Sequence, residues 1–325
     1  MHRVAVVGAT GYAGALCAAL TDRHPSLALV AVTARSEAGR RHDELYPRYG
    51  VALALEEFDP DRIAERADAA FVAYPHGAAA AAVRELRRRG LKVVDLSADF
   101  RLDQDSYERW YREHDAPELI AKAVYGLTEL HREEIRGAGL VAAPGCYPTA
   151  ALLALAPLRA VAGDAVVDAK SGVSGAGREA TQTTHFVSVA ENVNPYKVEG
   201  HRHQAELERE LDGMRITFIP HLLPIDQGLL ASCYVTTERR LSAEELGELF
   251  RSAYQDEPFV ELAPLPPGTR DVRETNRCRI HATLDPRGER VLVFAAIDNL
   301  WKGAAGQAVQ DLNLMLGLPE TEGLR

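Results

Sequence analysis

The chain has 325 residues, 46% of them hydrophobic and 26% charged, enough to bury a sizeable core and better suited to two domains than to one. Its net charge of −10, with no basic run longer than Arg87-Arg88-Arg89, argues against nucleic acid as a partner. Four cysteines at 17, 146, 233 and 278 show neither metal-ligand spacing nor disulfide density, so free thiols in a reducing cytoplasm and no metal centre are expected.

Arg3 to Val7 is a short β-branched run that enters Gly8-Ala9-Thr10-Gly11-Tyr12-Ala13-Gly14 and then a helix from Ala15 to Leu20. The glycines interrupt this segment, so it reads as neither a signal peptide nor a membrane span. Strand, glycine turn and helix together form a dinucleotide-binding context, because glycines admit a pyrophosphate to the backbone and the helix start supplies N–H groups. Gly8, Thr10, Gly11, Tyr12 and Gly14 are the candidate cofactor residues, although Ala9 stands where the usual spacing has its first glycine. The second strand, Leu27 to Thr33, ends in Thr33-Ala34-Arg35-Ser36 without a carboxylate that would repel a 2′-phosphate. NADP is therefore favoured over NAD, with Ser36 and either Arg35 or Arg40 as the phosphate site.

Further strands at Ala69 to Ala73 and Lys92 to Leu96 flank a helix at Ala78 to Arg89, which repeats the rhythm of a doubly wound parallel sheet. Arg87 to Arg89 reads as the solvated end of that helix. Ligands of open parallel sheets sit at the carboxyl ends of strands, so Arg101, in the turn Ser97 to Arg101, is a candidate anchor for an anionic substrate; a salt bridge to Asp99 is the structural alternative.

Leu140 to Ala143 is an apolar strand end running through Pro144-Gly145 to Cys146-Tyr147-Pro148-Thr149 and the apolar run Ala150 to Leu158. Pro148 suits a first helical turn, which places Cys146 at a helix N-terminus, where a thiolate is stabilised. Beyond it the pattern becomes rich in strands, at Ala165 to Ala169, Ile216 to Ile219, Leu229 to Thr236, Arg279 to Leu284 and Val291 to Ile297. The small-residue loop Ser171 to Arg178, with Ser171, Ser174 and Gly175, suits phosphate or nicotinamide. Gly200-His201-Arg202-His203 opens a helix with its two histidines on different faces, one of which takes and returns a proton. The last helix, Gly303 to Leu316, carries one apolar stripe of Ala304, Ala308, Leu312 and Met315.

These motifs taken in order resemble one family over essentially the whole chain: GATGYAG from Gly8, DLSADFR from Asp95, APGCYPTAA from Ala143, DAKSGVSGAGR from Asp168, GHRHQAELE from Gly200, PHLLP from Pro220 and DNLWKGAAGQAVQ from Asp298. The family is the N-acetyl-gamma-glutamyl-phosphate reductases, within the aspartate-semialdehyde-dehydrogenase superfamily. The resemblance implies an α/β protein with a Rossmann-type NADP-binding domain at 1–145 and 302–325. A catalytic and oligomerisation domain with a mixed, largely antiparallel sheet then follows at 146–301, as in glyceraldehyde-phosphate dehydrogenase. It further implies a small acyl-phosphate substrate reduced by NADPH, Cys146 as nucleophile, and His201 trailed by Glu208 as acid–base. His203 and Ser171 then fall to the substrate and Asn299 to the nicotinamide, in a homodimer or homotetramer. Two rivals are a reductase of a related acyl phosphate, disfavoured by Tyr147-Pro148, and an inactive NADP-binding sensor, disfavoured by the presence of both Cys146 and His201. Trp301 and Gln227 depart from the family pattern, the first near the cofactor and the second at an anion or interface contact.

Overall fold

The computed structural model describes residues 1–287 and 290–325, which divide into two compact units, 1–144 with 304–325 and 145–303. In the first unit, runs of valine, alanine and leucine without polar alternation form strands buried on both faces, the pattern of a parallel sheet. These are β1 His2–Val7, β2 Leu27–Thr33, β3 Leu55–Glu56, β4 Ala69–Val72, β5 Lys92–Asp95, β6 Ala123–Tyr125 and β7 Leu140–Ala142. All pair in parallel, in the order β3-β2-β1-β4-β5-β7-β6. Helix Tyr12–Arg23 follows β1, and helix Ala80–Arg88 connects β4 to β5 with Ala80, Val83 and Leu86 in the core.

The last helix differs from the single stripe read in the sequence. A π-helical turn covers Trp301–Ala305, and the α-helix runs Gly306–Met315 with all ten residues buried. It packs against β5 and the helices Tyr12–Arg23 and Thr128–Gly137, so it is enclosed on every side, and its polar residues are met internally. Thr128 Oγ1 donates to Asp311 Oδ1 at 2.8 Å, and Gln307 Nε2 donates to both at 2.9 Å.

The turn after β5 is held by buried carboxylates. Asp99 accepts Gly77 N at 2.7 Å, Ala79 N at 3.1 Å, Ala80 N at 3.0 Å and the Tyr107 hydroxyl at 3.0 Å, so it organises the entry to helix Ala80–Arg88. Asp95 accepts the Ser97 hydroxyl at 2.6 Å and the Ser97 N–H at 3.1 Å.

The second unit holds β8 Ala162–Gly172, β9 Asn194–Pro195, β10 Arg215–Leu223, β11 Leu229–Thr237, β12 Val260–Leu262, β13 Cys278–Leu284 and β14 Val291–Ile297. Its sheet, ordered β12-β13-β14-β11-β8-β10-β9, is parallel only at β12·β13 and β8·β10. Helix Cys146–Leu155 lies on β11 and β14, buried from Tyr147 to Leu155, and helix His203–Glu210 packs beside it. Among the described residues no helix is long and apolar enough to cross a membrane, and no group of His, Cys, Asp and Glu is arranged to hold a metal.

Burial, then the charge of Asp99, pushes the Asp95 carboxyl up to about 7. A folded-state value above the unfolded one means that Asp95 stabilises fully below about pH 4 and that this contribution is lost as pH rises through about 7. Asp95→Asn is expected to flatten the fall in urea midpoint between pH 4 and 7; parallel curves for the two proteins would contradict this.

Candidate active site

Burial sorts the four cysteines. Cys17, Cys233 and Cys278 are buried, and burial pushes the Cys17 thiol up and that of Cys233 to about 12, so these two remain inert thiols at neutral pH. Cys146 is half-buried and is the first residue of its helix, whose N-cap, Gly145, provides no side chain to occupy the first-turn N–H groups. That position favours a thiolate through the positive end of the helix.

Three neighbours hold this helix start. The Gly145 N–H donates to Glu206 Oε1 at 2.8 Å, and Glu206 is 2% exposed. The His203 ring lies against Gly145, where a Cβ would come within 2.6 Å of Nε2. Gly303 backs the cysteine, since a Cβ there would stand 2.8 Å from Cys146 Cβ. Neither Glu206 nor Gly303 was singled out from the sequence, although Glu206 follows His203 by three positions and so shares its helix face.

The two histidines correct the sequence reading. The helix begins at His203, not at His201, so no helical rotation separates their rings. Instead His201 Nδ1 accepts the His203 N–H at 3.2 Å, and the ring centroids are 4.7 Å apart. Tyr147 touches both rings, at 6.0 and 5.8 Å, and Tyr196 and Phe218 complete an aromatic enclosure around His201. Burial first, then the charges of Arg202 and Lys197, pulls the His201 imidazole down to about 3, so it stays neutral. With Nδ1 accepting, the proton of the neutral ring resides on Nε2. Glu208, read as the partner of His201, is exposed and accepts from Gln204 at 2.8 Å; Glu206 is the carboxylate that faces inward.

Tyr147, beside the cysteine, donates its hydroxyl to the His221 carbonyl at 2.8 Å and receives the Tyr196 hydroxyl at 3.4 Å. Burial raises both phenols, that of Tyr196 to about 12, and the nearby Cys146 charge adds to each. Ser171 is buried at the end of β8, and a Cβ on Gly175 would stand 3.0 Å from its hydroxyl. Asn299, also buried, donates to Ser174 Oγ at 2.9 Å and accepts Gly228 N–H at 2.8 Å, so it fixes the small-residue loop. The departure at Gln227 is absorbed locally, because Gln227 Nε2 donates to the buried Asp298 at 3.2 Å. Trp301 is half-buried in the π-helical turn and donates its backbone N–H to Asp298 at 3.2 Å.

In the first unit, Gly8 adopts φ +87°, and a Cβ on Gly14 would overlap the Gly8 carbonyl, so strand and helix approach as only glycines allow. Gly11 caps helix Tyr12–Arg23 without a side-chain bond and has nothing within 4 Å of a Cβ position, which leaves first-turn N–H groups beside open space. Thr10 and Tyr12 border that space half-buried, with the Thr10 carbonyl taken by the Tyr46 hydroxyl at 2.8 Å. A pyrophosphate fits this cradle. After β2, Arg35, Ser36 and Arg40 are all exposed, and Arg40 faces Glu37 at 4.0 Å and Glu44 at 3.8 Å. Arg101 is buried, its Nε donating to the Ala143 carbonyl at 2.7 Å and a terminal nitrogen to the Leu96 carbonyl at 2.9 Å, so it ties the ends of β5 and β7.

The sequence profile described as "Semialdehyde dehydrogenase, NAD binding domain" matches residues 3–138, and that described as "Semialdehyde dehydrogenase, dimerisation domain" matches 146–299. The chain is 49% identical to an N-acetyl-gamma-glutamyl-phosphate reductase of Moorella thermoacetica, covering 100% of this chain and 98% of that protein. It is also 49% identical to one of Pelotomaculum thermopropionicum, covering 99% and 97%. Among solved structures, aspartate semialdehyde dehydrogenase II of Vibrio cholerae, complexed with ASA, has the same fold at a TM-score of 0.75 and 19% identity, with 98% of each chain covered. Aspartate semialdehyde dehydrogenase of Candida albicans with NADP gives 0.74 at 14% identity, covering 97% of this chain and 98% of that one.

Glu206→Ala leaves the buried Gly145 N–H without its acceptor and is expected to cost about 1–3 kcal/mol in stability and to lower turnover. Glu206→Gln keeps an acceptor oxygen and should restore most of both, as read by urea titration and initial rates; equal damage from the two variants would contradict the assignment.

Proposed function

The chain belongs to the N-acetyl-gamma-glutamyl-phosphate reductase family, and from that membership we propose that it reduces N-acetyl-L-glutamyl 5-phosphate to N-acetyl-L-glutamate 5-semialdehyde and phosphate with NADPH, a step of arginine biosynthesis. The observation that carries this reading is Cys146, half-buried at an uncapped helix start beside the enclosed His201–His203 pair.

The Cys146 thiolate attacks the acyl carbon. The bond from that carbon to the phosphate oxygen then breaks, phosphate leaves with the electron pair and takes up a proton, and a thioester remains on Cys146. The bound dinucleotide supplies the hydride that reduces this thioester, and the resulting tetrahedral adduct collapses with cleavage of its carbon–sulfur bond, releasing the aldehyde and returning the electron pair to the Cys146 thiolate. At each tetrahedral stage the negative oxygen is met by the Cys146 backbone N–H and by His201 Nε2–H. His201 therefore acts as a neutral donor, because its other nitrogen is held by the His203 N–H. Ser171 and Arg101 are assigned to the anionic substrate, and His203 holds Gly145 while bordering the substrate.

NADPH is assigned over NADH because Ser36 and Arg35 follow β2 where a carboxylate would discriminate against the 2′-phosphate. Arg40 adds to this cluster, although its two carboxylate neighbours make Arg35 the stronger cation for the task. Gly8, Thr10, Gly11, Tyr12 and Gly14 are assigned to the pyrophosphate side of the dinucleotide, and Ser174, Gly175 and Asn299 to the nicotinamide. Assembly as a homodimer or homotetramer through the second unit is supported by the dimerisation-domain match and by the exposed Phe186, Val187, Val193 and Val198.

Phosphate-dependent reduction of NADP⁺ should proceed with N-acetyl-L-glutamate 5-semialdehyde and fail with aspartate semialdehyde. Cys146→Ser should abolish it while NADPH still binds; preference for aspartate semialdehyde would overturn the substrate assignment. Ser36→Asp should shift the ratio of kcat/KM from NADPH toward NADH, and a wild type that used both equally would remove the phosphate site. His201→Asn should lower kcat by about 10²- to 10³-fold, the range for loss of one oxyanion donor, with a smaller effect on KM. Because the imidazole stays neutral down to about pH 3, the wild-type rate should show no ionisation of His201 between pH 5 and 8; a limb in that range that vanishes in His201→Asn would contradict the donor role.

A further inference from the structure

The arginine run that reads as a solvated helix end divides. Arg88 faces Glu85 at 3.6 Å, and Arg89 reaches Asp61 and Glu85, each at 2.7 Å. Arg87 turns the other way. It is half-buried over the backbone of Gly139, where any Cβ would overlap its Nη2, and its Nη1 donates to the Leu91 carbonyl. Among the described residues no carboxylate pairs with Arg87, and burial without a counter-charge pulls its guanidinium pKa down.

Arg87 lines a cavity of about 640 Å³ with Arg84, Arg88, Lys122 and Glu118, four cations against one carboxylate in a chain whose net charge is −10. Arg84 is held at the rim by its bond to the Asp115 carbonyl. The cavity opens beside Gly139 and Leu140, at the amino end of β7, whereas the glycine turn after β1 lies at the carboxyl ends of the same sheet. Helix C-termini attract cations through the dipole, and both Arg87 and Lys122 lie in last turns, but that effect does not account for Arg87 turning inward over Gly139.

We propose that this cleft binds a small polyanion bearing phosphate or paired carboxylate groups, at the end of the first unit's sheet opposite its glycine turn. Arginine forks match both anions in bidentate fashion, and a half-buried guanidinium without a counter-charge gains most from acquiring one. The volume falls within the range of about 300–1,000 Å³ usual for small-molecule sites.

The test is calorimetric titration of the full-length enzyme, saturated with NADP⁺, with inorganic pyrophosphate and separately with citrate. At least one probe is expected to bind, the tighter one identifying phosphate or carboxylate as the preferred group. Arg87→Met should weaken binding about tenfold or more, as loss of one charge-assisted contact predicts. Should Arg87→Met fail to fold, the double variant Arg84→Gln/Lys122→Gln, altered at the rim, carries the same expectation. Glu118→Gln should tighten binding, and each folded variant should keep the wild-type kcat. No heat of binding from either probe, or unchanged affinity in the double variant, would overturn the proposal.

Discussion

The bond from the Gly145 N–H to the buried Glu206 carboxylate is the contact on which the arrangement around Cys146 depends. It fixes the residue immediately before Cys146, and the His203 ring occupies the space that a side chain at 145 would need. Gly303 closes the other side. A helix start is a weak electrostatic device unless its first residue is held in place, because the effect falls off within one turn. Here one helix, His203–Glu210, supplies both the carboxylate and the ring that hold it, and the chain just before that helix supplies His201.

The first unit uses buried carboxylates for a related purpose. Asp99 gathers three N–H groups and a phenol, and it organises the loop after β4 much as Glu206 organises the approach to the cysteine helix. Each donor would be costly to bury without an acceptor, so these motifs are constrained even where their side chains meet no ligand. Asp95, whose carboxylate among the described residues accepts from Ser97 alone and has Asp99 nearby, is the member whose charge is poorly tolerated.

The parallel strands were legible because both of their faces are buried, which leaves unbroken apolar runs, and the glycine turn was legible because Gly8 needs a left-handed φ and Gly14 a close approach. The cysteine helix was legible from Pro148 and the alanine-leucine run behind it. Side-chain direction was not. Helical geometry placed His201 and His203 on opposite faces, yet the helix starts two residues later because the His201 ring itself accepts the N–H of His203. Periodicity gave the last helix one apolar stripe, whereas Gln307 and Asp311 are buried by bonding to Thr128, 179 and 183 residues away in the chain. Glu206 and Gly303 carry no local signal of their roles, since each acts on a residue distant in sequence.

The central claim, that acyl transfer passes through a thioester on Cys146, is tested most directly by mixing the enzyme with N-acetyl-L-glutamate 5-semialdehyde and NADP⁺ in the absence of phosphate. The account predicts a burst of about one NADPH per chain, an N-acetylglutamyl mass increment on the Cys146 peptide in the acid-quenched sample, and release of that increment when phosphate is added. Steady turnover with neither burst nor acyl increment would contradict it.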